Sequence, residues 1–264
     1  MDFSHVKSWR VVDPQVEWRT GDIILFSGSG INSLVIRLFT NSVWSHVGVV
    51  CWIELLYHNG KREVELFSFE LGSKAYEDLM TGQDAQLKVR LVRLQTILKM
   101  YDMVAIRKLK LPSRTPKQSR AWSKKFQKYA WKMRGKPFHS FSTMLNNHFI
   151  EAGADEGETT CAQTTGELLK HLGVFDIDFD LSQLNPQDFA SGKRTFGKEI
   201  FASREKIIYL DNKNIVRRFL KIMIVMIVVI LLLIILLIYG LKRRASRKKA
   251  KKAASTSEQS TTAG

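Results

Sequence analysis

Two residues of this chain have the types and settings that nucleophilic acyl transfer needs. Cys161 follows Thr160 at the start of a helical pattern over Thr160–Leu172, in which Thr160 and Gln163 have capping-box spacing and Gly173 is a stop. Unpaired backbone N–H groups and the positive end of the helix dipole point at such a position and favour thiolate over thiol. The backbone N–H of Cys161 is itself placed to hold an oxyanion. His46 opens the run Trp44-Ser45-His46-Val47-Gly48-Val49-Val50-Cys51. An apolar strand has no need of an imidazole at its first position, whereas a site that moves protons does. A separation of 115 residues leaves open whether the two side chains meet. The plainer alternative is a small buried thiol and a hydrogen-bonded histidine at a strand end.

The elements that must position them can be read from periodicity. Thr20-Gly21-Asp22 reads as a turn, Ile23–Phe26 as a short strand, and Ile31, Leu34, Val35 and Leu38 as a helix ending near Thr40-Asn41. The His46 strand runs to about Ile53. Asn59-Gly60 is a hairpin signal, and Val64–Phe69 is the returning strand. Leu87–Leu94 alternates like a half-buried strand, and Val104–Leu111 does so less regularly. Residues 117–134 carry Trp122, Phe126, Tyr129, Ala130 and Met133 as a helical stripe among lysines. Strands first and helices later make an α+β fold, with an antiparallel sheet packed on helices.

Several residues have blander readings. Cys51, in mid-strand, belongs to the core. His139 and His148 fit surface positions or a substrate groove, and Trp44 either walls the cleft or packs. Ser27-Gly28-Ser29-Gly30 lacks the Gly-Lys-Ser/Thr of a phosphate loop. No CxxC or HxxxH spacing suggests a metal site, and no cofactor is expected.

Composition separates a globular domain from a membrane segment. Of 264 residues, 45% are apolar and 25% charged, enough for a packed core. The net charge of +16 is uneven: residues 242–264 hold eight basic residues against Glu258, a net +7. Without a groove-reading motif or interleaved stacking aromatics, nucleic acid is not an expected partner. Residues 222–239, IMIVMIVVILLLIILLIY, are uncharged and long enough to cross a bilayer. Lys213, Arg217, Arg218 and Lys221 precede that run. Charge alone would put the tail in the cytosol. Met1–Gln15 has no apolar signal region, so the expected arrangement is a tail anchor with the domain cytosolic and both thiols reduced. The expected organisation is an N-terminal extension (1–17), a catalytic domain (18–210), a basic juxtamembrane linker (211–221), a transmembrane helix (222–241) and a basic, disordered tail (242–264).

The motif order carries a family resemblance. Gly21-Asp22-Ile23-Ile24, Ser45-His46-Val47-Gly48, Phe69-Glu70-Leu71-Gly72 and Cys161-Ala162-Gln163 together resemble the circularly permuted papain-like hydrolases of the NlpC superfamily. In particular the chain looks like the YiiX type and its poxvirus relatives. Gly135-Lys136-Pro137-Phe138 and Asn185-Pro186-Gln187-Asp188 add lesser matches, and the resemblance covers residues 18–200. It implies a cysteine nucleophile at Cys161, a general base at His46 and an orienting carboxylate at Glu70. The substrate class it implies is a peptide or isopeptide amide, or a lipid ester or N-acyl group as in the relatives of lecithin:retinol acyltransferase. Those carry Asn-Cys-Glu-His at the nucleophile, where this chain has Thr-Cys-Ala-Gln. The alternative is a catalytically silent membrane adaptor that keeps the fold and binds a protein or lipid.

One register argument stands against Glu70. A two-residue turn at Asn59-Gly60 would pair residue 58 with 61 and put Glu70 opposite Val49, on the face away from His46. A bulge or longer loop would restore the match. Otherwise Ser68, Ser73 or Gln163 would take the role.

Overall fold

The computed structural model describes residues 3–14, 16–72, 75–137, 159–174, 180–191 and 200–210, with 223, 224, 231 and 234 as isolated positions. The chain divides into two compact units, 1–211 and 212–264. The linker, most of the proposed span and the tail, together with His139, His148, Ser73 and Phe138, lie outside the described residues. Among the described residues, no helix is long and apolar enough to cross a membrane.

The first unit is α+β, as expected. Its strands are β1 (Val6–Val12), β2 (Ile23–Ser27), β3 (His46–Tyr57), β4 (Arg62–Gly72), β5 (Tyr76–Asp78), β6 (Gln83–Ala85), β7 (Lys88–Arg93), β8 (Met103–Arg107) and β9 (Lys206–Leu210). Its helices are α1 (Ile31–Phe39), α2 (Leu94–Leu98), α3 (Pro116–Met133) and α4 (Cys161–His171). Seven strands form one antiparallel sheet in the order β7-β4-β3-β2-β8-β9, with β1 also pairing with β3, while β5 and β6 form a separate two-stranded ribbon. Val6–Val12, inside the stretch read as an N-terminal extension, is thus β1 of the sheet. The last β-strand expected in the 104–111 region is shorter, ending at Arg107.

Alternation sends the side chains of each strand to two faces, and both are covered. Val47, Val49, Cys51 and Ile53 of β3, with Phe67, Phe69 and Leu71 of β4, meet Phe126, Tyr129 and Ala130 of α3 and Leu168 and Leu169 of α4. Cys51 is fully buried there as a core residue, and burial pushes its thiol well above the ordinary value. Trp44 packs in the same core. The opposite face is a smaller cluster of Ile24, Phe26, Val50, Tyr76, Val92, Leu94, Ile97 and Val104. Covering the second face with α2 and the β5–β6 ribbon gives the sheet a dry side on which polar residues must find partners.

The Gly-Asp turn ahead of β2 is structural. Asp22 is buried and accepts from the backbone N–H groups of Arg19 and Leu109, at 2.8 and 2.9 Å. It fixes where β2 enters the sheet. At the other end of β2, the Ser45 Oγ accepts from Gly28 N–H at 3.1 Å and the Ser45 N–H donates to the Phe26 carbonyl at 2.9 Å. Those bonds hold the chain into His46.

Candidate active site

The loop between β3 and β4 decides which face Glu70 takes. Tyr57 N–H donates to the Lys61 carbonyl at 2.9 Å and Gly60 N–H to the Tyr57 carbonyl at 3.0 Å, so the loop has three residues, 58–60. Gly60 has φ of +83°, the left-handed conformation that closes such loops. The register is therefore one residue away from a two-residue turn, with Gly48 opposite Glu70 and Val49 opposite Phe69. Glu70 now shares its face with residues 46 and 48. The register objection is removed by the longer loop.

On that face the imidazole and the carboxylate meet. His46 Nε2 lies 2.7 Å from Glu70 Oε2, and both residues are buried. The other carboxylate oxygen accepts from Arg90 Nη2 at 2.8 Å and Nε at 3.2 Å, a two-pronged grip by a fully buried guanidinium. Arg90 sits directly opposite Glu70 on β7, and its Nη1 donates to the Ala85 carbonyl. Gly72 makes room for this pair. A Cβ there would stand 2.3 Å from Arg90 Nη2 and 2.8 Å from Glu70 Oε1. Opposite Glu70, a Cβ on Gly48 would stand 2.8 Å from Ser68 Oγ and 3.2 Å from the Glu70 Cβ.

Aromatic rings close the site from water. The Tyr101 ring lies parallel to the imidazole with centroids 5.9 Å apart, and Phe26 packs against both, at 5.2 Å from His46 and 4.5 Å from Tyr101. The Arg90 Cζ lies over the Tyr76 ring, 4.9 Å from the ring centroid. Burial pushes the Tyr101 phenol well above its usual value and the Tyr76 phenol up to about 12, so both stay neutral.

Cys161 begins α4, as its position after Thr160 predicts. The Thr160 side chain accepts from Gln163 N–H at 3.1 Å. Only this half of the expected capping box forms, because the Gln163 side chain turns to Glu167, donating at 3.0 Å. The entry to α4 is fixed from β7: Val89 N–H donates to the Lys136 carbonyl, and Thr159 N–H to the Pro137 carbonyl, at 3.0 and 3.1 Å. The Gly135-Lys136-Pro137 segment thus links β7, which holds Arg90, to the first turn of α4. His46 is the first residue of its strand, Cys161 is the first residue of its helix, and the Cys161 side chain acts electrostatically on the imidazole. Cys161 is nearly buried, 8% exposed.

Electrostatics couple the three groups. Burial alone would lower the basicity of His46, but the charges of Cys161 and then Glu70 outweigh it and raise its pKa from 6.5 to about 10. Burial alone would raise the pKa of Glu70, but the charge of His46 and then that of Arg90 hold it down at about 2. The stability contributed by ionised Glu70 is therefore complete above its ordinary 4.5 and is lost as pH falls toward 2. That contributed by protonated His46 is complete below 6.5 and is lost as pH rises through about 10.

The structure thus brings His46 and Glu70 into hydrogen-bond contact, and Cys161, at the head of α4, acts electrostatically on the imidazole. Of the alternative orienting residues, Ser68 is buried on the same face without touching His46 in any described hydrogen bond, and Gln163 is engaged with Glu167. Sequence reasoning missed Arg90 and Tyr101. Among the described residues, no group of three or more His, Cys, Asp or Glu side chains could hold a metal ion.

Neither a protein-family profile nor a curated protein matches the chain. Among solved structures, it is similar to YiiX, a metalloprotein from Escherichia coli O157:H7 described as DUF1105. The TM-score is 0.41 and the identity 16%, over 74% of this chain and 98% of that one.

Proposed function

We propose that the chain is a thiol hydrolase or acyltransferase that acts on an amide or ester, with Cys161 as nucleophile, His46 as proton carrier and Glu70 as orienting carboxylate. The observation that carries this reading is the His46 ring itself: Nε2 is committed to Glu70 at 2.7 Å, and the imidazole feels the electrostatic influence of Cys161 at the head of α4. With Nε2 taken, Nδ1 is the nitrogen that exchanges a proton with sulfur. The proton rests on His46, whose pKa its surroundings raise to about 10.

The Cys161 sulfur attacks the substrate carbonyl carbon, forming a C–S bond, while the carbonyl electrons move onto oxygen. The Cys161 N–H and the positive end of α4 face the developing oxyanion. Collapse breaks the bond to the amine or alcohol, which leaves with the proton from His46. Neutral His46 then takes a proton from water or a second acceptor, whose oxygen or nitrogen attacks the thioester and returns the thiolate and imidazolium pair. Glu70 keeps the ring in one orientation, and Arg90 keeps Glu70 ionised and in place.

The uncharged run at 222–239, flanked by cations, makes the enzyme a tail-anchored membrane protein in this reading, with its domain on the cytosolic side. A lipid ester or N-acyl group is the favoured substrate, because a tethered site meets such substrates at high local concentration.

The test is turnover of a mixed panel of phospholipids, N-acyl amides and isopeptides, with mass spectrometry of Cys161 for the acyl adduct. At least one class should leave an acyl group on Cys161. With that substrate, kcat/KM is expected to hold through neutral pH and to fall as pH passes about 10, where His46 loses the proton that the leaving group needs. Turnover without any adduct on Cys161, or a falling limb near the ordinary 6.5 of histidine, would contradict the assignment.

A further inference from the structure

Helix α3 carries a surface that the thiol site does not use. Between Ser113 and Pro137 the chain has nine Lys or Arg residues and no Asp or Glu. Six lie in α3 itself, and all six are exposed: Lys117, Arg120, Lys124, Lys125, Lys128 and Lys132. The opposite side of the helix, Phe126, Tyr129, Ala130 and Met133, is buried. At 100° per residue, the six cations fall within an arc of about 140°. None of the six is ion-paired with a described residue.

Such a stripe is unfavourable for the isolated domain. Arg120, Lys124, Lys128 and Lys132 stand at successive i, i+4 positions, where like charges repel. A face that only had to stay soluble would mix signs. An anionic partner relieves that repulsion.

Trp131 indicates which kind. It falls inside the basic arc and is 42% exposed. One face of its indole stacks on Trp9 at 5.3 Å, and the Arg134 guanidinium lies 5.0 Å from its ring centroid. With one face taken by Trp9, the ring has less to offer a nucleic-acid base, whereas an amphipathic indole suits the headgroup layer of a bilayer. The composition agrees. Five of the six cations are lysines, point charges on flexible stems that suit a diffuse anionic surface better than bidentate recognition.

We propose that the α3 face docks on the headgroups of an anionic bilayer leaflet, with Trp131 at the interface and the six cations over the surface. The role is separate from the thiol chemistry. A tether at 222–239 would bring the domain within reach of a leaflet, and α3 would set which side turns toward it.

The test uses the full-length chain in lipid nanodiscs, either neutral or with about 30 mol% phosphatidylserine. Lysine acetylation is read residue by residue by mass spectrometry. Lys124, Lys125, Lys128 and Lys132 are expected to react about fivefold more slowly in the anionic discs, with Lys61 and Lys99 unchanged. About 0.5 M NaCl should remove the difference, and Trp131→Ala or Lys124→Glu/Lys128→Glu should reduce it. Because these side chains are exposed, the variants keep the core intact, and an unchanged circular dichroism melt reports folding independently. Equal rates in the two discs would overturn the proposal. So would protection by single-stranded RNA with none by lipid, which would make the stripe a nucleic-acid surface.

Discussion

Cys161→Ala should lower kcat/KM by about 10⁴-fold while leaving the fold intact. The side chain stands at the first turn of α4, and no described hydrogen bond uses its sulfur to tie α4 to the core; Thr160 caps the helix and Tyr129 holds it through Glu167 at 3.1 Å. Removing one buried sulfur costs about 1 kcal/mol, a small part of a domain's stability. Chemistry suffers far more, because the C–S bond of the intermediate has no substitute. Alanine leaves the backbone at the first turn of α4 in place, so substrate binding should survive with KM little changed. Steady-state kinetics and the circular dichroism melt of the same preparation give both readings. A variant with unchanged turnover would show that Cys161 is not the nucleophile.

Arg90→Met should cost about 3–5 kcal/mol of stability and nearly all activity. Arg90 is fully buried and grips the carboxylate oxygen that His46 does not use. Without the guanidinium, Glu70 remains in a dry layer under Tyr76 and Tyr101 with half of its charge unanswered, and its pKa rises. Without the guanidinium grip, Glu70 no longer holds the imidazole in one orientation, so turnover should fall across the pH range. Pairing it with an apolar replacement, Arg90→Met/Glu70→Leu, removes both buried charges and is expected to restore much of the stability but not the activity. Denaturant midpoints and kinetics on the two variants separate these effects. Equal activity in the single variant and the parent would show that Arg90 only packs.

How much of this was legible in the sequence depended on what fixes each residue. Cys161 and His46 stand out because each opens an element, and an element's first residue can be located from caps and from a change in periodicity. The face of Glu70 could not be located that way. It hangs on the count of residues in the 58–60 loop, since one residue more or less sends every β4 side chain to the other face of the sheet. Arg90 was hidden for a different reason. Alternation in β7 put it on the polar side, and a polar side reads as solvent until tertiary structure covers it. Here Leu94 and Ile97 of α2, with Tyr76 of β5, pack on that side. Tyr101 lies in the turn after α2, where no periodicity singles it out. β1 escaped notice because the Lys7-Ser8-Trp9-Arg10 run has no clean alternation, and only its pairing with the second half of β3 orders it.

The most direct measurement is the rate of iodoacetamide alkylation at each cysteine, followed by mass spectrometry in the native protein and in His46→Ala. Cys161 should alkylate at neutral pH at least about a hundredfold faster than Cys51, which is fully buried with its thiol pushed up. Loss of the imidazole should slow Cys161 about tenfold or more and leave Cys51 unchanged. Alkylation of Cys51 ahead of Cys161, or a Cys161 rate indifferent to His46, would contradict the pairing of sulfur and imidazole on which the proposed chemistry rests.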